Sequence, residues 1–162
     1  MGTLMKRTVV WWALLALPLA VIAQRKIGEA AALDKVEIHG EAKPGGNVTA
    51  VVHVELEKGF HAHSNKPSEP NFIPTKLELS PTAGVKAGTI KYPEGKTEKV
   101  QGLEKPLSVY KARFQISVPL TLDAKAALPL KIPATLSYQA CQGAMCYPPK
   151  RLKFEIALDN FK

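Results

Sequence analysis

Apolar and polar residues alternate over residues 47 to 57, NVTAVVHVELE, with Val51 the one apolar residue at a polar position. In an extended chain, this places five apolar side chains on one face: Val48, Ala50, Val52, Val54 and Leu56. A period of two predicts a β-strand with one buried face and is incompatible with an amphipathic helix over the same residues.

The same alternation recurs at residues 77 to 79, 114 to 118, 130 to 138 and 152 to 158, and weaker strands are predicted over 33 to 39 and 85 to 92. Gly, Pro and Asn residues separate these segments, and only a turn near 123 to 127 resembles a helical period. Seven or eight short strands without crossover helices predict an all-β fold, an immunoglobulin-like antiparallel β-sandwich, with a small barrel as the alternative.

The first residues have the pattern of an export signal. Lys6 and Arg7 precede an apolar run over residues 9 to 23 that contains Pro18 and ends Val-Ile-Ala. The run is shorter than the ~20 residues that cross a bilayer, so we predict a signal peptide over residues 1 to 23, cleaved after Ala23. An uncleaved membrane anchor is the alternative. A polar lead over 24 to 32 and one domain over 33 to 162 then follow.

The formal charge of the 162-residue chain is +8, and it falls to +6 without Lys6 and Arg7. The lysines are scattered, with no arginine-rich run and no aromatic residues interleaved among them. This distribution is typical of a solvated surface and argues against nucleic-acid binding.

The stretch YQACQGAMCYPP, residues 138 to 149, contains the chain's two cysteines, Cys141 and Cys146. Outside the cytoplasm such a pair can form a lasting disulfide. Cys141 has the opposite parity to Tyr138, so we expect it to leave the core face as its strand ends, with both sulfurs in a tight connection near the surface. A bridge over about six residues restrains the unfolded chain by only ~2 kcal/mol. Spacing alone leaves a structural bridge and a redox-active pair equally open.

This stretch resembles the active loop of the amino-terminal periplasmic domains of DsbD-type thiol:disulfide interchange proteins, Tyr-Gln-x-Cys, a spacer, then Cys-x-Pro-Pro. GFHAHSNKPSEPNFIPTKLEL at 59 to 79 and EKPLSVYKARF at 104 to 114 are similar to two further segments of that family. The resemblance covers roughly residues 33 to 158.

The resemblance implies a periplasmic immunoglobulin-like domain that passes reducing equivalents between thioredoxin-like partners, acting as a protein-disulfide reductase without a cofactor. Cys146 would form the mixed disulfide and Cys141 would resolve it. Residues implied in partner contact or in a cap over the sulfurs are Leu103, Glu104, Tyr110, Tyr138, Gln139, Tyr147 and Pro148.

The chain departs from the family pattern in three ways. Its spacer has four residues, where some members have five, and the region of the cap, 101 to 105, offers Leu103 and Glu104 but no aromatic plug. Full-length members continue into a membrane-spanning domain and a thioredoxin-like domain, so we expect this chain to receive electrons from a membrane donor domain in trans.

Two other functions remain open from the sequence. One is a non-catalytic binding module with a structural disulfide. The other is Cu(I) binding through His61, His63 and Met145, because soft sulfur and imidazole ligands suit that ion. The competing interpretation of these three residues is that the histidines share one face of a short strand and that Met145 fills space in a loop.

Overall fold

The computed structural model describes residues 30 to 159, and over this range the chain forms twelve β-strands and no helix. The predicted signal peptide lies outside the described residues. The strands are β1 (Ala31–His39), β2 (Asn47–Leu56), β3 (His61–His63), β4 (Lys76–Leu79), β5 (Val85–Ala87), β6 (Lys96–Glu98), β7 (Leu107–Lys111), β8 (Arg113–Leu122), β9 (Leu130–Tyr138), β10 (Ala140–Gln142), β11 (Met145–Cys146) and β12 (Lys150–Leu158). Between residues 30 and 159, no helix has the length and apolarity that crossing a membrane requires.

Every recorded strand pair is antiparallel. A four-stranded sheet has the order β1-β2-β8-β5, and a three-stranded sheet has the order β12-β9-β4. The two sheets contribute their apolar faces to one shared core. This is an antiparallel, immunoglobulin-like β-sandwich, which confirms the predicted fold class.

The alternating strands supply the core as their period predicts. Val52 of β2 and Ile116 of β8 are fully buried from one sheet, and Leu136 of β9 and Ile156 of β12 are fully buried from the other. Each such side chain contributes about 1.5 to 3 kcal/mol to the free energy of unfolding through the apolar area it removes from water. The core therefore rests on the two long-stranded sheets.

Two strand boundaries differ from the sequence prediction. β1 begins at Ala31, two residues inside the predicted polar lead, because Ala30 and Ala31 are buried in the core. The strand predicted over 85 to 92 ends at Ala87 and returns only as an isolated bridge between Lys91 and Ser117. The facing residue at the break is Pro119, which has no N–H group to continue the ladder.

A five-stranded sheet, in the order β11-β10-β3-β7-β6, raises the number of strands above the seven or eight predicted. Its strands have two to five residues, too few for an alternation to be recognised in the sequence. A small second core of Val100, Leu107 and Val109 lies against it, with Phe72 packed alongside. This sheet joins three distant segments of the chain, since β3 pairs with both β7 and β10.

Candidate functional site

Cys141 and Cys146 form a disulfide, and they face each other across the β10–β11 hairpin with Cα atoms 4.0 Å apart. Gly143 and Ala144 make the turn, and Gly143 has a φ of +58°, a backbone conformation that glycine adopts without a steric penalty. The predicted tight connection is therefore present as a hairpin of its own. The hairpin holds the two sulfurs at a sheet edge, because β11 is the outermost strand.

The two cysteines differ in accessibility. Cys141 is 0% exposed, whereas Cys146 is exposed. Cys141 leaves the core face, as its parity predicts, because Ala140 keeps the parity of Tyr138 and lies in the main core, whereas Cys141 does not. The expectation that both sulfurs lie near the surface is wrong for Cys141, because His63, itself covered by Phe72, lies beside it. β9 pairs with β12 and β4, but β10 pairs with β3 and β11, so the chain changes sheets between Tyr138 and Ala140.

Backbone and side-chain hydrogen bonds fix the segment that follows the hairpin. The Tyr147 N–H donates to the carbonyl of Ala140 at 2.9 Å, and Gln139 Nε2 donates to the carbonyl of Tyr147 at 3.0 Å. The Tyr147 ring packs against Phe60 with ring centroids 5.7 Å apart. These contacts hold Cys146 in place although its own strand has only two residues.

His63 lies beside the disulfide, a contact that the sequence analysis did not identify. Its Nε2 atom is 3.8 Å from Cys141 Sγ and 4.0 Å from Cys146 Sγ. The side chain is 1% exposed, and burial lowers the pKa of its imidazole, with a smaller lowering from His61. The strand register explains the contact, because Cys141 pairs with His61 and His63 is the diagonal neighbour on the same face.

Phe72 covers the other side of this histidine. Its ring stacks on the His63 imidazole with centroids 4.4 Å apart and planes 10° from parallel. Thr75 fixes the His63 backbone, since its Oγ1 donates to the His63 carbonyl at 2.6 Å. The long irregular segment between β3 and β4 thus contributes an aromatic side chain to the site.

His61 is buried on the same strand, with ring centroid 6.4 Å from that of His63. Burial lowers the pKa of His61, the carboxylate of Glu98 opposes that shift, and Lys111 adds to it. Glu98 Oε1 accepts a hydrogen bond from Lys111 Nζ at 2.7 Å. Burial therefore favours the neutral form of both imidazoles.

The residues proposed for a cap or a partner surface fall into two groups. Leu103, Glu104 and Pro148 are exposed, with an exposed fraction of 39% for Leu103, and Gln139 and Tyr147 are half-buried. Leu103 and Glu104 line a cavity of about 330 Å³ together with Phe72. Phe72 therefore connects this loop, through His63, to the sulfurs.

Tyr110 and Tyr138 are buried, so their side chains pack within the domain and present no surface. The Tyr110 hydroxyl donates to Asn65 Oδ1 at 2.7 Å and accepts from the Asn65 N–H at 3.2 Å. The Tyr138 hydroxyl accepts from the Ala31 N–H at 3.3 Å. Tyr110 thus anchors the five-stranded sheet to the main core, and Tyr138 links the three-stranded sheet to β1.

The possible metal ligands that lie together in the structure differ from the three that the sequence predicts. His63 Nε2 and the two sulfurs lie within 4.8 Å of one another. Met145 is exposed and does not fill space in the loop. The sulfurs are bonded to each other here, and only free thiolates bind metal ions well. Cu(I) binding stays a prediction for the reduced protein.

The sequence profile of one family, described as "Thiol:disulfide interchange protein DsbD, N-terminal", matches residues 30 to 158. No curated protein sequence matches the chain significantly. The solved N-terminal periplasmic domain of ScsB from Proteus mirabilis aligns with a TM-score of 0.53 and 13% identity, covering 84% of this chain and 49% of that one. The chain thus spans about half the length of that ScsB structure and shares its fold.

Two solved structures from Neisseria meningitidis also align. The DsbD N-terminal domain in its reduced form does so with a TM-score of 0.45 and 20% identity, covering 75% of this chain and 83% of that one. The DsbD domain in complex with the PilB N-terminal domain aligns with a TM-score of 0.45 and 19% identity, covering 78% and 82%.

Proposed function

The chain belongs to the family of N-terminal domains of the thiol:disulfide interchange protein DsbD, and from this premise we propose that it exchanges disulfides through Cys141 and Cys146. In this role it is an exported, periplasmic domain that carries two electrons between thioredoxin-like partners. A membrane-bound donor domain reduces the Cys141–Cys146 disulfide, and oxidised thiol proteins accept the electrons. No organic cofactor takes part, because the sulfurs themselves hold the electron pair.

The observation that carries this proposal is the difference in accessibility between the two cysteines. Exchange begins when a partner thiolate attacks one sulfur in line with the disulfide, and attack requires an approach path. Cys146 is exposed on the edge strand β11, and Cys141 is buried. The partner thiolate therefore bonds to Cys146 Sγ, the bond between the two sulfurs breaks, and its electron pair moves to Cys141 Sγ.

The second step uses the same geometry. In the mixed disulfide, Cys141 remains directly opposite Cys146 in the hairpin, with a Cα separation of 4.0 Å in the oxidised protein. The disulfide chemistry requires the resolving sulfur to stay within bonding distance of its neighbour. When the domain acts as a reductant, Cys146 attacks the partner's disulfide, and Cys141 then displaces the partner from Cys146.

Exposed apolar side chains surround the accessible sulfur. Met145 precedes Cys146 and Pro148 follows it closely, and both are exposed. Leu103 and Glu104, in the loop before β7, are also exposed, and they line a cavity with Phe72, whose ring stacks on His63. A small apolar patch suits a transient docking partner, and we assign Leu103, Glu104, Tyr147 and Pro148 to that contact.

A structural disulfide in a non-catalytic binding module is the competing function, and the burial of Cys141 favours it. The bridge closes only six residues, 141 to 146, and such a loop gains about 2 kcal/mol from restraint of the unfolded chain. The strands that it joins already pair with each other. The disulfide therefore restrains the chain little beyond what the pairing of the two strands already does.

Trapping of the mixed disulfide tests the proposal. The Cys141→Ser variant keeps the exposed Cys146 and lacks the resolving sulfur, so it should accumulate a covalent complex with an oxidised thioredoxin-fold protein, visible on a non-reducing gel. The matched Cys146→Ser variant keeps only the buried Cys141 and should form much less complex. Equal trapping by both variants, or none by either, would contradict the assigned roles.

A further inference from the structure

Opening of the disulfide places a negative charge where water does not reach. When a thiolate attacks Cys146, the leaving sulfur is that of Cys141, which is 0% exposed. A buried anion without a hydrogen-bond donor or an opposite charge is strongly unfavourable. The domain therefore needs a donor beside Cys141 Sγ if exchange is to proceed at a useful rate.

In the part of the chain that the structure describes, His63 has a hydrogen-bonding side chain within reach of both sulfurs. Nε2 lies 3.8 Å from Cys141 Sγ and 4.0 Å from Cys146 Sγ, the outer range of a hydrogen bond to sulfur. A neutral disulfide accepts hydrogen bonds weakly, whereas a thiolate accepts them strongly. The contact should shorten as charge develops on Cys141 Sγ.

The surroundings of the ring favour the tautomer that carries its proton on Nε2. Nδ1 of His63 is buried and has no hydrogen-bond partner in the structure. A proton on Nδ1 would thus be an unpaired buried donor, and it would also turn the Nε2 lone pair toward the lone pairs of the sulfurs. With the proton on Nε2, the N–H group points at Cys141 and Cys146.

The ring is also held in position before any partner arrives. Phe72 stacks on it at 4.4 Å, and Thr75 binds the His63 carbonyl at 2.6 Å. A donor that is already oriented toward developing charge needs no rearrangement when that charge appears.

We propose that His63 is a catalytic residue of this domain: its Nε2–H group donates a hydrogen bond to the Cys141 thiolate that leaves when a partner thiolate attacks Cys146. This inference rests on the proposed exchange function. The proton stays on the imidazole, the new bond joins the partner sulfur to Cys146 Sγ, and the electron pair of the broken disulfide stays on Cys141 Sγ.

Three substitutions separate hydrogen-bond donation from packing. His63→Phe keeps a flat ring of similar size against Phe72 but has no donor. His63→Gln can place an N–H group near the position of Nε2, whereas the shorter side chain of His63→Asn cannot reach it. His53→Gln, a change on the four-stranded sheet, serves as the control for histidine removal elsewhere.

The measured quantities are the reduction potential of the pair and the rate at which a reduced thioredoxin-fold protein opens the disulfide. The potential is obtained from equilibration with glutathione buffers, followed by acid quenching, alkylation of free thiols and mass spectrometry. A variant whose reduced form lacks this charge-assisted hydrogen bond should show an equilibrium shifted roughly ten- to hundredfold toward the disulfide. That shift lowers the potential by about 30 to 60 mV.

We expect His63→Phe and His63→Asn to show this lower potential and an opening rate reduced at least tenfold, and His63→Gln and His53→Gln to resemble the parent protein. An unchanged potential in His63→Phe, or equal shifts in the Gln and Asn variants, would overturn the inference. If His63→Phe does not fold, the difference in potential between His63→Gln and His63→Asn tests the inference. A parent disulfide that no thioredoxin-fold protein opens would refute the exchange function, while the glutathione potentials still test His63.

Discussion

Reduction of the disulfide should weaken the domain only slightly. The bridge spans residues 141 to 146, and closure of a loop of about six residues restrains the unfolded state by about 2 kcal/mol. For a domain of roughly 130 residues, 1 kcal/mol corresponds to about 3 to 5 °C in melting temperature. We therefore expect the reduced protein to melt about 6 to 10 °C below the oxidised protein, in a transition that remains cooperative.

The assay is thermal melting followed by far-ultraviolet circular dichroism, with and without reductant. Fluorescence is unsuitable for a protein cleaved after Ala23, because Trp11 and Trp12 lie in the predicted signal peptide. The Cys141→Ala/Cys146→Ala double variant, which does not respond to reductant, is the control. A loss of more than about 15 °C, or of the cooperative transition itself, would refute the argument that the bridge is a weak clamp.

Three further predictions concern pH, packing and metal binding. Burial lowers the pKa of His61 and of His63, so each histidine binds a proton more readily in the unfolded chain than in the fold. The free energy of unfolding of the oxidised protein should therefore fall as the pH drops below about 6.5, by at most ~1.4 kcal/mol per pH unit for each histidine. Denaturant titrations at pH 7, 6 and 5 test this, and an equal slope in the His61→Gln/His63→Gln variant would contradict it. Leu136→Ala removes a fully buried side chain of β9 and should cost about 2 to 5 kcal/mol in the same denaturant assay, whereas a cost below 1 kcal/mol would argue against the assigned core. The copper alternative predicts that the reduced protein binds Cu(I) through the sulfurs and His63 and that the oxidised protein does not. Competition with a chromophoric Cu(I) chelator measures this, and equal binding by both forms would exclude the site.

The alternating sequence was sufficient to predict the sandwich but not the sheet that holds the cysteines. Strands β2, β8, β9 and β12 have nine or ten residues, enough for a period of two to be visible. The strands of the five-stranded sheet are too short to show one. The sheet is assembled through hydrogen bonds of β3 to two distant segments, β7 and β10, and such pairing has no local signature.

The cysteines themselves were predictable, but their environment was not. Parity carried from Tyr138 correctly takes Cys141 off the core face, but it does not show that Cys141 is buried on the opposite face beside His63 and Phe72. The contact between His63 and Cys141 joins residues 78 positions apart. The alternation in His61-Ala62-His63 was a signal that the two histidines share a face, but only the register with β10 shows that this face holds the disulfide.

An aromatic neighbour of the site was also missed. Residues 101 to 105, where the family resemblance places a cap, include no aromatic residue. The structure supplies Phe72 from a different loop, stacked on His63 and lining the same cavity as Leu103. A comparison limited to residues 101 to 105 could not identify Phe72, because Phe72 lies in another loop and reaches the same cavity only in the folded structure.

The reduction potential of the Cys141–Cys146 pair in the unmodified protein tests the central claim most directly. A domain that exchanges disulfides with thioredoxin-fold partners should have a potential in the glutathione and isomerase range, about −180 to −260 mV. A value below about −300 mV would mean that partners of this kind cannot reduce the bridge, and would identify it as a permanent structural disulfide.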